Sequence, residues 1–378
     1  MSKTIITDEE LIADRRAGLS LRDIAKKWGM NARTITRRSK RLALLGYSPE
    51  HNMTHTVPDG FKVRGVSTYY NKDGQPTGQW VKSAADDARR EVIMREAMDA
   101  IAEGLPKVEP RVAAGDWDKR LLTVYPIGDP HIGMLAWREE TGDTWDLRIA
   151  ENTHCEAMSA LVELAPATER AVIVNLGDLL HYDSMEAKTP RSGHLLDADG
   201  RYAKMIRVGV RVMLQCIESA LGKHKQVHVV SAIGNHDETG ALWLALLLSH
   251  VYADEPRVTV DTSPAVFNYY RFGKVLIGVH HGHTCKPDKL PAVMAADRAK
   301  DWGETEHRYW LCGHIHHASM KEYPGVQVES FGTLAGKDAY AANGGWRAQR
   351  NMQAIVYHCE FGEVARLRVV PDMFQEAA

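Results

Sequence analysis

The sequence predicts an α/β fold in which a layered β-sandwich is flanked by helices and preceded by a small helical domain. Three observations favour this fold. Five apolar strands between residues 121 and 312 each run into a polar loop. Helical segments with one apolar face lie between those strands, and residues 7–43 have the pattern of short capped helices.

The chain has 378 residues, which favours more than one domain. Its 44% hydrophobic and 25% charged residues are typical of a globular protein and exclude a disordered or fibrous one. The net charge is −2, yet residues 1–50 contain 11 basic and 6 acidic residues. We predict a helical, DNA-binding domain at 1–50, a β-hairpin with a helix and linker at 51–118, and the large α/β domain at 119–378.

Cysteine spacing and the absence of apolar runs indicate the compartment. The five cysteines are widely spaced without a CxxC pair, which argues against a disulfide framework and a zinc knuckle. The N-terminus is acidic by residue 8, so no signal peptide is expected. The most apolar stretch, Ala241–Leu248, is far shorter than the ~20 residues of a membrane span. We therefore expect a cytoplasmic protein without a membrane contact, and its oligomeric state is left open.

The basic N-terminal segment has the pattern of a helix-turn-helix. Thr7 and Glu10 form a capping box, Ser20 begins a second helix, Gly29 lies in the turn, and Asn31 caps a third helix that ends near residue 44. The candidate DNA contacts are expected on an exposed face of the third helix and are Arg33, Thr34, Arg37, Arg38, Lys40 and Arg41. The alternative is a structural three-helix domain with a solvated basic face.

Residues 60–82 predict a β-hairpin around Asn71–Gly74, because Asp-Gly is a strong turn signal. A charged helix is predicted at 83–104 and a linker from Pro106. In the large domain, helices are predicted near 149–164, 201–222, 239–250 and 288–300, and hairpins around 319–330 and 351–370. The predicted strands are Leu121–Ile127, Ala171–Asn175, Val227–Ile233, Lys274–Val279 and Tyr309–Cys312.

Histidines cluster where these strands end. The chain has 18 histidines, and 16 of them follow residue 130. The five strands lead into Gly-Asp-Pro-His at 128–131, Gly-Asp-Leu-Leu-His at 177–181, Gly-Asn-His-Asp at 234–237, His-His-Gly-His at 280–283 and Gly-His-Ile-His-His at 313–317. Such clusters in a cysteine-poor chain indicate metal. Because strand side chains alternate, Asp129 and His131 are expected on one side of an extended strand end, as are His314 and His316.

In this order the five motifs resemble those of the calcineurin-like metallophosphoesterase superfamily, over about residues 120–372. The resemblance implies the superfamily's β-sandwich and a metal-dependent hydrolase with two divalent ions. Mixed nitrogen and oxygen ligands favour Mn²⁺, with Fe and Zn²⁺ also suited. The implied ligands are Asp129, His131 and His316 for the first metal, Asn235, His281 and His314 for the second, and Asp178 as the bridge between them.

The resemblance also implies catalytic roles. His236 would protonate the leaving oxygen, and Asp237 would hydrogen-bond its ring. The nucleophile would be a hydroxide held by the two metals, without a covalent enzyme intermediate. His181 is either a polar packing residue or a substrate-facing one, since Gly-Asp-Leu-Leu-His resembles a motif of repair nucleases. No role is assigned to His280, His283 and His317.

The motifs are most similar to those of SbcCD-type DNA repair nucleases and phage-encoded relatives, so a DNA nuclease or phosphodiesterase with DNA as its partner is expected. An ATPase partner is not implied, because the chain ends about 60 residues after His316. One alternative is a phosphomonoesterase acting on nucleotides or phosphoproteins, with the helical head only localising it. Another is a DNA-binding regulator with a vestigial metal domain, against which the intact ligand set argues.

A loop after the last motif is a second candidate for substrate contact. Lys337, Arg347 and Arg350 are interleaved there with Tyr340 and Trp346. Basic residues alternating with aromatic ones suit a nucleic-acid backbone and unstacked bases. The alternative is an ordinary solvated loop with one buried tryptophan.

Overall fold

A computed structural model of the chain describes residues 6–44, 61–70, 76–85 and 115–374. The chain divides into two compact units, Met1–Ile101 and Ala102–Ala378. Each unit is described by itself. Within the described ranges, no helix combines the length and apolar character needed to cross a membrane.

The first unit begins with three helices, α1 (Asp8–Arg16), α2 (Leu21–Lys27) and α3 (Ala32–Leu44). The predicted capping box is present, because the backbone N–H of Thr7 donates to Glu10 Oε2 at 2.7 Å and the N–H of Glu10 donates to Thr7 Oγ1 at 3.2 Å. Ser20 accepts from the N–H of Asp23 and so starts α2. The buried core of the three helices consists of Ile6, Leu11, Ile24, Ala25, Ile35 and Leu42.

The predicted exposed face of α3 is only partly correct. The half-buried guanidinium of Arg38 donates to Asp8 Oδ1 at 2.6 Å from Nη2 and also to the carbonyl oxygen of Ile6. Arg41 is exposed but pairs with the same carboxylate of Asp8. Arg38 therefore ties α3 to α1, and its placement on a free surface was wrong. Thr34 is half-buried, and the exposed basic residues of α3 besides Arg41 are Arg33, Arg37 and Lys40.

The predicted hairpin is formed by β1 (Phe61–Tyr70) and β2 (Pro76–Ala85), which pair antiparallel from Phe61 opposite Ala85 to Tyr70 opposite Pro76. Because β2 continues to Ala85, the helix predicted from residue 83 cannot begin there. The predicted turn at 71–74, the remainder of the helix at 86–104 and the linker at 106–114 lie outside the described residues.

The second unit alternates strands and helices. Its strands are β3 (Asp118–Ile127), β4 (Thr168–Asn175), β5 (Gln226–Ser231), β6 (Val258–Val260), β7 (Asn268–Phe272), β8 (Val275–Val279), β9 (His307–Cys312), β10 (Ser319–Tyr323), β11 (Val326–Ser330), β12 (Met352–His358) and β13 (Gly362–Val369). Its helices are α4 (Arg138–Thr141), α5 (Leu147–Leu164), α6 (Tyr202–Leu221), α7 (Glu238–Val251), α8 (Leu290–Asp297), α9 (Ala299–Glu304) and α10 (Ala339–Asn343). The predicted strands, helices and hairpins of this unit are present, except that the helix predicted at 288–300 is broken at Arg298 into α8 and α9.

Two sheets are formed. One has six strands in the order β13-β12-β3-β4-β5-β6, and the other has five in the order β10-β11-β9-β8-β7. Strands β3 to β6 are parallel, as are β8, β9 and β11. Strand β12 returns antiparallel beside β3, with Ile355 opposite Val124. The carboxyl ends of β3, β4 and β5 therefore lie along one edge of the first sheet.

The sheets pack face to face between outer layers of helices. Val124, Val174 and Val230 of the first sheet share a buried cluster with Ile277 and Leu311 of the second. Helices α5, α6 and α7 cover the other face of the six-stranded sheet, and α8 and α9 lie against the five-stranded one. The predicted fold class, a β-sandwich flanked by helices, is confirmed.

Candidate metal centre

Seven predicted ligands come from loops that directly follow five strands. They are Asp129 and His131 after β3, Asp178 after β4, Asn235 after β5, His281 after β8, and His314 and His316 after β9. Parallel strands place their carboxyl ends at a common edge, where ligands of open α/β sheets bind.

The first group joins one carboxylate and two imidazoles. The side-chain ligand atoms of Asp129, His131 and His316 all lie within 4.8 Å of one another. The Nε2 atoms of His131 and His316 are 3.0 Å apart, and His316 Nε2 is 3.5 Å from Asp129 Oδ1. Two ring nitrogens this close need a proton or a cation between them, so the donor set fits a metal ion.

The second group is built around His281. Its Nε2 lies 3.2 Å from Asp178 Oδ2 and 3.0 Å from Asn235 Oδ1, and His314 lies within the same 4.8 Å group. The other ring nitrogen, Nδ1, is 2.8 Å from the carbonyl oxygen of Leu176, to which it can donate. That bond orients the ring and leaves Nε2 facing the two oxygens, as in metal-binding histidines.

The charge balance of the site calls for a cation. Asp129 and Asp178 are both buried, and their partners include histidine rings and backbone N–H groups. Burial raises the pKa of Asp129. Burial also opposes ionisation of Asp178, but the neighbouring His281 outweighs it and holds the pKa of Asp178 well below its ordinary value. Burial lowers the pKa of His281, but the charge of Asp178 outweighs burial and raises that pKa to about 9. A divalent ion would supply the positive charge that a protonated His281 otherwise provides.

Two of the other candidate ligands, His131 and His314, have the neutral form that binds metals. Burial lowers the pKa of His131 well below its ordinary value, and it lowers the pKa of His314 to about 4. Neutral imidazole offers a nitrogen lone pair at neutral pH.

The backbone of the ligand loops corrects one prediction. Among the described residues, the non-glycine positions with positive φ are Asp129, His131, Asp178, His314 and His316, with φ between 43° and 72°. All five are predicted ligands. They therefore do not alternate along an extended strand end, as the sequence suggested, but lie in left-handed turns beyond it. Such strained backbone costs about 1–3 kcal/mol per residue and is concentrated at functional sites.

Two glycines let these turns approach one another. A Cβ on Gly234 would lie 2.0 Å from Asp178 Oδ1, and a Cβ on Gly177 would lie 2.7 Å from His281 Nδ1. The glycines that open the second and third motifs are thus required by close packing of ligand loops.

His236 lies beside the ligands but is held differently from the prediction. Its Nδ1 is 2.7 Å from the carbonyl oxygen of His181, to which it donates, and its backbone N–H donates to Asp178 Oδ1 at 2.8 Å. Asp237 instead accepts from the N–H groups of Asp178 and Leu180, at 3.0 and 3.2 Å. Burial and the charge of Asp178 raise the pKa of Asp237 to about 8. The predicted bond from Asp237 to the ring of His236 is therefore wrong, and Asp237 instead fixes the loop that carries Asp178.

His181 is buried and forms part of the histidine cluster. Its Nδ1 is 3.2 Å from His131 Nδ1, and its ring stacks on that of His236 with centroids 5.5 Å apart. The ligand atoms of His131, His181 and His236 lie within 4.8 Å of one another. Burial lowers the pKa of His181 to about 3, so the ring is neutral. A neutral His181 can fix the orientation of the His131 ring through this contact between the two Nδ1 atoms.

The three unassigned histidines have distinct surroundings. His280 Nε2 lies 2.9 Å from Thr284 Oγ1, and its ring stacks on Phe267. The ring of His283 is 5.2 Å from that of His281. His317 is exposed, with Nδ1 2.8 Å from the carbonyl oxygen of Ile315.

The cations of the 337–350 loop are engaged within the fold. Lys337 Nζ donates to Asp143 at 2.9 Å, and Arg350 Nε donates to the carbonyl oxygen of Leu334 at 2.7 Å. The exposed Arg347 donates to carbonyl oxygens of its own loop. These contacts favour a structural role for Lys337 and Arg350. The alternative of a buried tryptophan is also wrong, because Trp346 is exposed.

Sequence reasoning did not predict the contacts of two further residues. Thr333 Oγ1 donates to the backbone carbonyl of Asp129 at 2.7 Å. The sequence did carry a signal for this residue, because Gly332-Thr333 follows β11 as the motif glycines follow other strands. Arg191, on the loop after the second motif, forms an ion pair with Glu238, which directly follows the third motif. Nothing in the sequence pairs those two charges.

The comparisons with known proteins add a structural likeness. No protein-family model matches the chain, and no curated protein matches its sequence. Among solved structures, a conserved uncharacterised protein of Streptococcus pneumoniae, described as a predicted phosphoesterase, is 12% identical with a TM-score of 0.28, covering 67% of this chain and 91% of its own. Wild-type Vps29 of Entamoeba histolytica, complexed with zinc, is 13% identical with a TM-score of 0.28, covering 65% and 98%. Vacuolar protein sorting 29 of Cryptosporidium parvum is 12% identical with a TM-score of 0.29, covering 68% and 100%. TM-scores this low carry no conclusion about function, which rests on the geometry of the site.

Proposed function

We propose that the Ala102–Ala378 unit is a calcineurin-like, two-metal phosphoesterase that hydrolyses phosphodiester bonds of DNA. The observation that carries the proposal is the convergence of seven oxygen and nitrogen donors from five strand ends, five of them on left-handed backbone. Two neighbouring groups of oxygen and nitrogen donors are the arrangement with which two-metal sites cleave phosphoesters.

Divalent ions bound here would supply activated water and offset the charge on the phosphate oxygens. The residues of this chain do the rest. His236 donates its Nδ1 proton to the carbonyl oxygen of His181, which leaves Nε2 as the atom that carries the mobile proton. From Nε2 the protonated ring can donate to the leaving oxygen as a general acid.

DNA is proposed as the substrate for two reasons. The exposed basic residues Arg33, Arg37 and Lys40 recur along α3 at helical spacing, as phosphate contacts would require. The second motif also lacks the pattern of Ser/Thr protein phosphatases. A phosphodiester-cleaving unit joined to a basic helical unit is a coherent nuclease.

The reaction class is tested with two aryl esters in the presence of Mn²⁺. A phosphodiesterase hydrolyses bis-p-nitrophenyl phosphate faster than p-nitrophenyl phosphate, and a chelator abolishes both activities. A reversed preference would instead establish a phosphomonoesterase. No hydrolysis of either ester with Mn²⁺, Fe²⁺ or Zn²⁺ would refute the proposal.

The shared role of Asp178 gives a first prediction. Asp178→Asn should lose both metal ions together, because that residue is proposed to bridge them, and metal analysis of the purified protein measures this. Asp261→Asn is a matched control, since Asp261 follows β6 in the same sheet and accepts from the N–H of Ser263 at 2.9 Å. Two full equivalents of metal in Asp178→Asn would contradict the bridge.

A further inference from the structure

Three exposed aromatic side chains of the second unit lie in segments that follow the first and the last histidine motif in the sequence. The side chains of Trp137, Tyr340 and Trp346 are 61%, 73% and 55% exposed. By contrast, Trp145 and Trp310 of the same unit are fully buried. Single exposed hydrophobic side chains are normal on a protein surface, but several aromatic ones on neighbouring segments can mark a binding site.

The loops that carry them are held in place. Trp137 immediately precedes α4, Tyr340 lies in α10, and these two short helices are neighbours. The backbone N–H of Lys337 donates to Asp143 at 2.8 Å, in addition to the contact from its Nζ. The guanidinium of Arg350 covers the ring of Trp145, 4.9 Å from its centroid. The aromatic residues are therefore presented on supported loops, which lowers the entropy lost on binding.

The same loops are attached to the metal ligands. Thr333, which holds the carbonyl oxygen of Asp129, is seven residues before Tyr340. Trp137 is six residues after His131. Seven residues span at most ~25 Å even when fully extended, so the Cα atoms of Trp137 and Tyr340 lie within that distance of those of His131 and Thr333.

The geometry of the pair leaves ring faces available. The rings of Tyr340 and Trp346 have centroids 5.0 Å apart and planes inclined by 69°. In this edge-to-face arrangement, the ring that presents its edge keeps both faces clear of its partner. A flat group can therefore stack on it without separating the pair.

We infer that Trp137, Tyr340 and Trp346 form a stacking platform for the unpaired bases of single-stranded nucleic acid that leads to the metal centre. The inference rests on the proposed function, and it assigns single strands as the substrate class. Lys337 and Arg350 make their contacts within the fold, whereas the three aromatic rings are exposed and available to a ligand. Rings of this kind stack on any base, whereas the bases of a duplex are not accessible to them.

The test measures binding of the full-length protein to fluorescein-labelled oligothymidylate with a chelator present, so that no cleavage occurs. Alanine at Trp137, Tyr340 or Trp346 should weaken binding about 5- to 150-fold, the range for loss of one stacked base. The slope of affinity against salt should stay unchanged, because stacking releases no counterions. An oligomer of abasic sites, with equal charge, should bind the wild type and the variants alike.

Two substitutions at one position separate stacking from general apolar contact. Trp346→Phe should retain much of the affinity, whereas Trp346→Leu should lose it, because leucine has no flat face. Phe361→Ala is the matched control. Phe361 is 71% exposed but lies in the turn after His358, which pairs with Leu121 at the opposite end of β3 from Asp129. Its removal should change neither binding nor hydrolysis.

The outcomes are distinguishable from failure of the proposed function. If the wild type hydrolyses bis-p-nitrophenyl phosphate while all three alanine variants bind oligothymidylate as tightly as the wild type, the platform is refuted and the phosphoesterase stands. If the wild type hydrolyses no aryl ester, the proposed function fails whatever the binding shows. If sedimentation shows a wild-type dimer that Trp346→Ala dissociates, the surface joins two copies of the chain, and the inference is overturned.

Discussion

At the scale of single residues, the site is defined by what each side chain touches. His236 donates from Nδ1 to a carbonyl oxygen and from its backbone N–H to an aspartate oxygen, so one hydrogen bond holds the ring and another holds the backbone that carries it. A ring fixed in this way can present Nε2 to a substrate with little loss of entropy.

Replacing His236 tests its role as the general acid. His236→Ala should keep both metals but reduce the rate of DNA cleavage by a factor of ~10²–10⁴, the usual contribution of acid–base catalysis. The loss should be smaller for bis-p-nitrophenyl phosphate, because p-nitrophenolate leaves without a proton. His317→Ala is the control, since His317 is exposed and bonds only its local backbone among the contacts described. Equal losses on both substrates would exclude proton donation by His236.

Gly234 gives a second prediction at this scale. Gly234→Ala should abolish metal binding and activity, because the added methyl group would lie 2.0 Å from Asp178 Oδ1 and displace that carboxylate. Metal analysis and hydrolysis of the aryl diester measure the effect. Gly303→Ala is the comparison, since a methyl group there meets nothing within 4 Å and α9 should gain up to ~1 kcal/mol of stability. A fully active Gly234→Ala variant would show that the two loops can separate.

The sequence predicted the candidate ligands but not the way that the fold holds them. Their residue types and positions after strands sufficed to predict Asp129, Asp178 and His281, because metal chemistry restricts the choice of donor. The bond that Asp237 makes could not be predicted, since backbone N–H groups of a distant loop leave no mark in the sequence. The left-handed backbone of the ligands is likewise imposed by tertiary packing, against local preference.

At the scale of elements, α3 combines a structural and a candidate binding face. Arg38 ties it to Asp8 and Ile6, while Arg37, one position before, is exposed. Helical spacing alone could not separate these neighbours, because the partner of Arg38 lies 30 residues earlier in the chain. The sequence also did not predict the short strands β6 and β7. Distant contacts are again the reason, because these strands are stabilised by the neighbouring strands more than by their own sequence.

Neighbouring arginines should therefore respond differently to substitution. Arg38→Ala should lower the local unfolding free energy of α1 and α3 by about 1–3 kcal/mol, because it removes hydrogen bonds between charged groups. Arg37→Ala should change it by less than ~0.5 kcal/mol. Amide hydrogen exchange in the full chain measures both values. Arg37→Ala should instead weaken binding to duplex DNA and reduce the salt slope by ~0.9. Equal protection factors in the two variants would mean that Arg38 contributes no stability.

At the scale of the whole molecule, the division into two units predicts separable activities. A chain of residues 102–378 should hydrolyse bis-p-nitrophenyl phosphate about as fast as the full protein, because all the predicted ligands lie within it. It should bind duplex DNA more weakly and with a shallower salt dependence, since the basic N-terminal segment is missing. Filter binding at several salt concentrations measures both. Equally tight binding by the shorter chain would assign DNA contact to the second unit alone.

The pairing of β12 with β3 has a consequence for synthesis of the protein. Ile355 lies opposite Val124, so 230 residues must be synthesised between these partners. At ~5–20 residues per second this takes roughly 10–50 s. Throughout that interval the strand that leads into Asp129 has an open edge, which can pair with strands of other nascent chains. We therefore expect aggregation during synthesis to depend on chaperones that cover this edge until the final hairpin has emerged.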